Sequence, residues 1–277
     1  MAITQVSGQK VTGSGATIVL TGVTAGNTLI LQTGYYRTNT TGVAETVPTD
    51  STGDTWLVGR ADIPQAFDSG PAHDLGASIF YLPNATAGTH TVTPEANTSH
   101  QQCLSEFSGL MTSASLDQST SNKSNADTHT SLATGTTATT TQADELVVIN
   151  HAIGARNGVS NITYTDPVSG FTTLYNQPND ATSVGVLQAY KVLATTGTQT
   201  ATFNWVSGET FMGSQAVIAT FKAAGAAANA PSVNEAVTTA ESIAMNVKLM
   251  PSLNEAVTAA EAITMHMPIS LRMEKLS

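Results

Sequence analysis

The stretch Phe80-Tyr-Leu-Pro-Asn-Ala-Thr-Ala-Gly-Thr-His-Thr-Val-Thr93 returns as Ala189-Tyr-Lys-Val-Leu-Ala-Thr-Thr-Gly-Thr-Gln-Thr-Ala-Thr202. Tyr81 falls on Tyr190, Gly88 on Gly197, and Thr89, Thr91 and Thr93 on Thr198, Thr200 and Thr202. Each copy reads as a strand, a Gly-bearing turn and a second strand. The match extends outward in the same order. Upstream, Leu29-Ile-Leu31 falls on Leu146-Val-Val148, and Gly53, Thr55 and Leu57 fall on Gly170, Thr172 and Leu174. Downstream, Phe107 falls on Phe221. This order predicts two similar β units in tandem, about 16–110 and 136–222, within one domain spanning 1–224. A single copy could bury only one face of a small sheet, so the two are expected to pack face to face around one core. Tyr81 and Tyr190 become equivalent core positions.

The rest of 1–224 agrees. Runs rich in Val, Ile, Thr, Tyr and Phe recur between Gly, Pro, Asn and Asp punctuation, and no ten-residue stretch has a 3.6-residue period. Strands are predicted near 3–6, 16–23, 28–36, 55–60, 77–82, 89–93 and 102–108 in the first half. In the second half they are predicted near 136–141, 145–151, 172–176, 183–192, 198–205 and 214–222. The Ser-, Thr- and Asn-rich segment Thr112–Thr136 reads as a long surface loop between the halves. The predicted class is all-β, a duplicated, jelly-roll-like β-sandwich.

The composition changes after residue 224. Residues 225–230 are small and featureless, a linker stopped by Pro231. Then Pro231-Ser-Val-Asn-Glu-Ala-Val-Thr-Thr-Ala-Glu-Ser-Ile-Ala-Met245 returns as Pro251-Ser-Leu-Asn-Glu-Ala-Val-Thr-Ala-Ala-Glu-Ala-Ile-Thr-Met265. A short helix capped by Asn234 is one reading. A two-residue period fits better: Val233, Val237, Ile243, Met245, Val247 and Leu249 share one face, with small or polar groups between them. Fully extended, 231–277 would reach roughly 150 Å at about 3.3 Å per residue. Ordering it costs on the order of 1–2 kcal/mol per residue, which two short repeats cannot recover alone. The tail is therefore expected to find its partner in another subunit, as a β-repeat assembly element giving a homotrimer or larger. Its expected interface residues are Val237, Ile243, Met245, Val247, Val257, Ile263 and Met265. Glu235, Glu241, Glu255 and Glu261 interrupt the apolar face. They either fix register or face water as the strands twist.

The order of motifs resembles a β-sandwich module of phage structural and bacterial surface proteins. The matching residues are Ala25-Gly-Asn-Thr-Leu-Ile30, Asp50-Ser-Thr-Gly-Asp-Thr-Trp56, Ile79-Phe-Tyr81, Ala87-Gly-Thr-His-Thr-Val92, Phe107-Ser-Gly109 and Leu116-Asp117. Later come Thr141-Gln-Ala-Asp-Glu-Leu-Val-Val148, Thr196-Gly-Thr-Gln-Thr-Ala-Thr-Phe203 and Ala216-Val-Ile-Ala-Thr-Phe-Lys222. The tail resembles the Ser-Val-Thr-Val-type repeats of such proteins, with Ala and Asn-Glu replacing much of the Ser and Val. The resemblance implies virion or surface placement, as capsid decoration, head fibre or tail fibre, with other virion proteins as partners. It implies no defined chemistry.

Charge and chemistry narrow the remaining classes. Charged residues are 11% of the chain, with 20 acids, 10 bases and a formal charge of −10. No Lys/Arg cluster suits nucleic acid, and no apolar stretch is long enough for a membrane span. Residues 1–10 show neither a basic n-region nor an apolar h-region, so no Sec signal peptide is read. Synthesis in a host cytoplasm with release by lysis fits a virion-surface protein. Type I secretion and a mature form whose leader has been removed are the alternatives.

His73, His90, His100, His129, His151 and His266 are scattered, without a zinc-protease spacing or a nucleophile elbow. Cys103 alone builds neither a disulfide nor a zinc site. No cofactor, metal or enzymatic activity is expected. Asp50 and Asp54 could offer calcium two carboxylates, although a hairpin turn needs the same residues. Trp56, Trp205, Tyr35 and Tyr36 are either core or a sugar-stacking platform. The second supports the alternative function, a carbohydrate-binding adhesin for host glycans.

Overall fold

The computed structural model describes residues 2–37, 43–66, 74–96, 99–124, 129–155, 162–165, 168–178, 184–206 and 211–225. The linker from 226 on, the tail and all seven expected interface residues, Val237, Ile243, Met245, Val247, Val257, Ile263 and Met265, lie outside the described residues, as do His73 and His266. The described part is all-β.

The first half contains β1 (Thr4–Gly13), β2 (Ile18–Val23), β3 (Thr28–Arg37), β4 (Thr49–Asp50), β5 (Leu57–Ala61), β6 (Gln65–Ala66), β7 (Asp74–Leu82), β8 (Gly88–Thr93) and β9 (Ser99–Ser108). The second contains β10 (Leu116–Ser124), β11 (Ser131–Ala133), β12 (Glu145–Ala155), β13 (Thr163–Tyr164), β14 (Thr172–Gln177), β15 (Gly185–Val192), β16 (Thr202–Val206) and β17 (Phe211–Lys222). The large sheets run β1-β9-β3-β7-β5 and β10-β17-β12-β15-β14, and the small ones β2-β8-β4 and β11-β16-β13. The two halves correspond strand for strand, apart from the short β6. Leaving β6 aside, each half is an eight-stranded jelly roll in which the fifth strand has joined the large sheet.

The sheets stack in four layers around three cores. The central core joins the two large sheets through Ile30, Ile79, Phe107, Val148, Val217 and Phe221. The outer cores lie between each large sheet and its own small sheet. Leu31, Phe80, Leu20 and Trp56 belong to one, and Ile149, Ile218, Phe203 and Trp205 to the other. The expectation of a single shared core is thus too small. Each half closes a sandwich of its own, because its large strands are apolar on both faces: β3 and β7 are buried almost throughout.

The central contact is pseudo-symmetric. Tyr81 meets Phe221 and Tyr190 meets Phe107, each edge-on at 5.1 Å between centroids. Such pairs contribute about 0.5–1.5 kcal/mol beyond their burial. Ile30 pairs with Tyr81 and Val148 with Tyr190, so Ile30 corresponds to Val148. The sequence match of Leu29-Ile-Leu31 to Leu146-Val-Val148 is therefore one residue out, a slip that exchanges the faces of a strand. By the same pairing Gln32 corresponds to Asn150, and each amide reaches across. Gln32 Nε2 donates to the Ile149 carbonyl at 2.8 Å, and Asn150 Nδ2 to those of Thr33 at 2.8 Å and Ser78 at 2.9 Å. These buried amides hold the register that apolar packing alone leaves loose.

Two expectations for the middle of the chain fail. The supposed loop Thr112–Thr136 contains β10 and β11. β10 is an edge strand held by backbone pairing to β17, with half-exposed side chains, so it carries no apolar alternation. The supposed strand Thr136–Thr141 is instead a ladder of period three. Thr134, Thr137 and Thr140 are buried. Their backbone N–H groups donate to the carbonyls of Ala201, Gln199 and Gly197 at 2.9, 2.9 and 3.1 Å. Their hydroxyls accept from the N–H of the same three residues at 3.2, 2.9 and 3.1 Å. Threonine side chains supply the acceptors that a neighbouring strand would offer.

Candidate functional site

A cavity of about 590 Å³ forms an open groove on the outer face of the second half. Its wall is Thr200, Ala201, Thr202 and Asn204 on and before β16, and its rim is Val168, Ser169, Phe171 and Lys191. The rim turn is closed by Phe171 N–H donating to the Val168 carbonyl at 2.9 Å, with Gly170 at φ +78°. The Lys191 ammonium sits 4.6 Å from the Phe171 ring centroid, and burial lowers its pKa. The groove offers one cation, an amide, several hydroxyls and a strand edge.

The corresponding place in the first half is filled. There β4 pairs with β8, Thr49 opposite Thr93 and Asp50 opposite Val92, and Ser51 N–H donates to the Thr91 carbonyl at 3.1 Å. In the second half the pairing sits further along, Thr163 opposite Val206 and Tyr164 opposite Trp205, and the last described bond is Thr165 N–H to the Asn204 carbonyl at 3.2 Å. Ala201 spends its peptide groups on Thr134, so strand alternation turns those of Thr200 and Thr202 the other way, toward the groove. Among the described residues none pairs with them there.

Charged groups gather elsewhere, at one end of the first large sheet. Arg37, Glu45, Asp74 and His100 are all buried. Arg37 pairs with Glu95 at 3.1 Å and lies over the Tyr35 ring at 4.7 Å. His100 Nε2 stands 3.4 Å from Glu45 Oε1, and Thr33 donates to Glu45 Oε2 at 2.6 Å. Burial and the Glu45 charge raise the Tyr35 pKa. The Tyr35 ring lies so close over Gly76 that a Cβ there would stand 2.2 Å from it. A cavity of about 260 Å³ opens beside this cluster, lined by Ser14–Ala16, Thr93–Ala96, Ser99 and His100.

The other described histidines are structural. His90 is fully buried with both nitrogens engaged, Nδ1 by Asp50 Oδ2 at 2.8 Å and Nε2 by the Thr86 carbonyl at 2.9 Å. Burial works against its charge, but the Asp50 hydrogen bond, the Thr86 carbonyl and the Asp50 and Asp54 charges outweigh it and raise its pKa. Asp50 also accepts from Trp56 Nε1 at 3.1 Å, and Asp54 from the Thr86 N–H and hydroxyl at 3.0 and 2.9 Å. The carboxylates weighed for calcium are thus engaged by protein donors, and no group of three or more potential metal ligands occurs among the described residues.

His151 is sandwiched between Phe203 and Trp205 at 4.8 and 5.0 Å and bonded to the Tyr164 hydroxyl at 2.7 Å. Burial, then the His129 charge, push its pKa down to about 3, so it is a neutral ring. His129 bonds Ser214 at 2.8 Å. Cys103 is buried, its thiol pushed up to about 12 by burial.

No family model, curated protein or solved structure matches this chain.

Of the four aromatics weighed as a stacking platform, Trp56, Trp205 and Tyr35 are core residues and Tyr36 packs against the central core. The platform does not form. Sequence reasoning missed the groove entirely. Phe171 and Lys191 carry no motif, and the opening comes from where a short strand pairs, which composition does not record. No helix among the described residues is long and apolar enough to cross a membrane.

Proposed function

We propose that this chain is a structural protein of a virion, a surface decoration or fibre protein that assembles through its C-terminal β-repeats. One observation carries the reading. The 20-residue repeat beginning at Pro231 and Pro251 has the two-residue period of strands, yet it follows a unit that already closes three cores of its own. A segment with the period of strands that lies outside those cores is suited to pairing with another chain. Jelly rolls serve viral capsids and lectins alike, an analogy at the level of fold. The adhesin reading has lost its tryptophan platform and keeps only the open groove.

Light scattering on the full chain and on a chain ending at Ala224 tests the proposal. The full chain should be a trimer or larger, and the shortened chain a folded monomer. Ile243→Asp with Ile263→Asp should give the same monomer. Equal masses for the full and shortened chains would overturn the reading.

A further inference from the structure

His90 on β8 is held in a way that a neutral imidazole cannot satisfy. Its side chain and that of Asp50 are both fully buried. Nδ1 lies 2.8 Å from Asp50 Oδ2 and Nε2 lies 2.9 Å from the Thr86 carbonyl, so both ring nitrogens face acceptors. Asp50 also accepts from the Trp56 indole N–H at Oδ2 and from the Thr52 N–H at Oδ1. A neutral ring has one N–H to give. The His90–Asp50 pair therefore holds one proton more than a neutral ring beside a carboxylate, and losing it breaks one of these bonds.

Those bonds fasten one segment. Thr49 and Asp50 pair with β8, Ser51 N–H donates to the Thr91 carbonyl at 3.1 Å, and Gly53 N–H closes the turn onto the Asp50 carbonyl at 3.1 Å. Trp56, at the far end of the segment, belongs to the outer core of the first half. The charged groups acting on His90 are Asp50 and Asp54, and β2, its neighbour on the other side, carries none. The second half has no such pair. Gln199 stands at the position of His90, and its peptide N–H and carbonyl bond to the neutral Thr137.

We infer that the His90–Asp50 proton is a latch: it holds Thr49–Trp56 closed over β8, and its loss as pH rises opens that segment, baring the β8 edge and the Trp56 indole while the large sheets stay folded. Closure is complete below pH 6.5, the ordinary histidine value, and is lost as pH rises through the raised value of the closed state. Between the two the open population rises about tenfold per pH unit.

Hydrogen exchange of the full chain between about pH 6 and pH 9 tests this, with the His90 ring nitrogens followed by NMR over the same range. Both nitrogens should carry protons at the lower end. Exchange at the Ser51 and Gly53 amides and the Trp56 indole, with its intrinsic pH dependence divided out, should rise about tenfold per pH unit as the ring loses its proton. It should stay at least tenfold faster than at the Val148 amide, in the middle of the second large sheet, which marks the opening as local. His90→Gln, the residue type of the second half, should make the profile flat. A singly protonated ring at pH 6, exchange that stays flat while the ring titrates, or exchange no faster than at Val148 overturns the latch, as does an unchanged rise in His90→Gln. Should that variant not fold, the coincidence of ring titration and opening in the parent chain decides.

Discussion

Gly34 sits where the two large sheets cross, and Gly34→Ala tests the central contact directly. A Cβ at residue 34 would stand 2.2 Å from Val186 Cγ1, 3.2 Å from Ala152 Cβ and 3.5 Å from Val184 Cγ1. Carbon atoms pack at about 3.5–4.0 Å, so the Val186 methyl must retreat by more than 1 Å. It has little freedom to do so, since Val186 is fully buried and branched at Cβ. Overpacking of this kind costs about 1–3 kcal/mol, and replacing glycine inside a strand returns about 0.5–1 kcal/mol. A net loss of about 1–2 kcal/mol follows. Val186→Ala alone should cost about 2 kcal/mol, roughly 0.8 for each methyl with a cavity term added. In the double variant the new methyl occupies the space the valine vacated, so the two losses should fall short of additivity by about 1 kcal/mol. Urea unfolding of the full chain followed by tryptophan fluorescence measures all three. Trp56 and Trp205 lie in the two outer cores and report on their own halves. A Gly34→Ala protein as stable as the parent, or strictly additive losses, would refute the face-to-face packing argued here.

Three further outcomes are expected. Burial first, then the Asp117 hydrogen bond and charge, hold the Glu145 pKa up at about 7 against 4.5. A raised carboxyl contributes full stability below its unfolded pKa and loses it as pH rises through the folded one, so the protein should be less stable at pH 8 than at pH 5. Glu145→Gln should remove about 1–2 kcal/mol of that loss, after discounting for screening, and leave the smaller slope from His90, whose raised pKa acts in the same direction. An unchanged pH slope in thermal melts would count against it. Thr137→Val keeps the shape but strands the Gln199 N–H and should cost about 1–3 kcal/mol in the same unfolding assay. Asn150→Ala removes two bonds across the central contact and a partner of Gln188, and should cost more than Gln102→Ala, whose amide makes its one bond within its own half.

The duplication was legible because the residues that shape a β-turn and fill a sheet interface recur in order. Gly53 and Gly170 share a φ of +78°, and the Tyr81/Tyr190 and Phe107/Phe221 pairs find one another across the core. Register was less legible. Apolar residues occupy both faces of β3 and β12, so nothing in their pattern distinguishes a one-residue slip. The glycine turns also lead into strands of unequal offset: Tyr81 opposes Leu57, four residues past its glycine, whereas Tyr190 opposes Thr172, two past its own. The threonine ladder escaped because its buried positions repeat every third residue, matching neither strand nor helix. The groove left no trace because a shifted pairing changes spacing without changing residue type.

The groove also gives the molecule a direction. Two fused jelly rolls related by an approximate twofold would otherwise present matching ends, and a twofold contact between chains would bury the same patch on each. Here β4 covers the edge of β8 in the first half, and the groove lies beside β16 in the second. A contact in which this groove takes a different part of a neighbouring chain is heterologous: each subunit receives one neighbour and is received by another. Such contacts close into a ring when the rotation per step divides a full turn, and otherwise extend as a filament. The angle between donor and acceptor, rather than the strength of the contact, then sets the number of subunits.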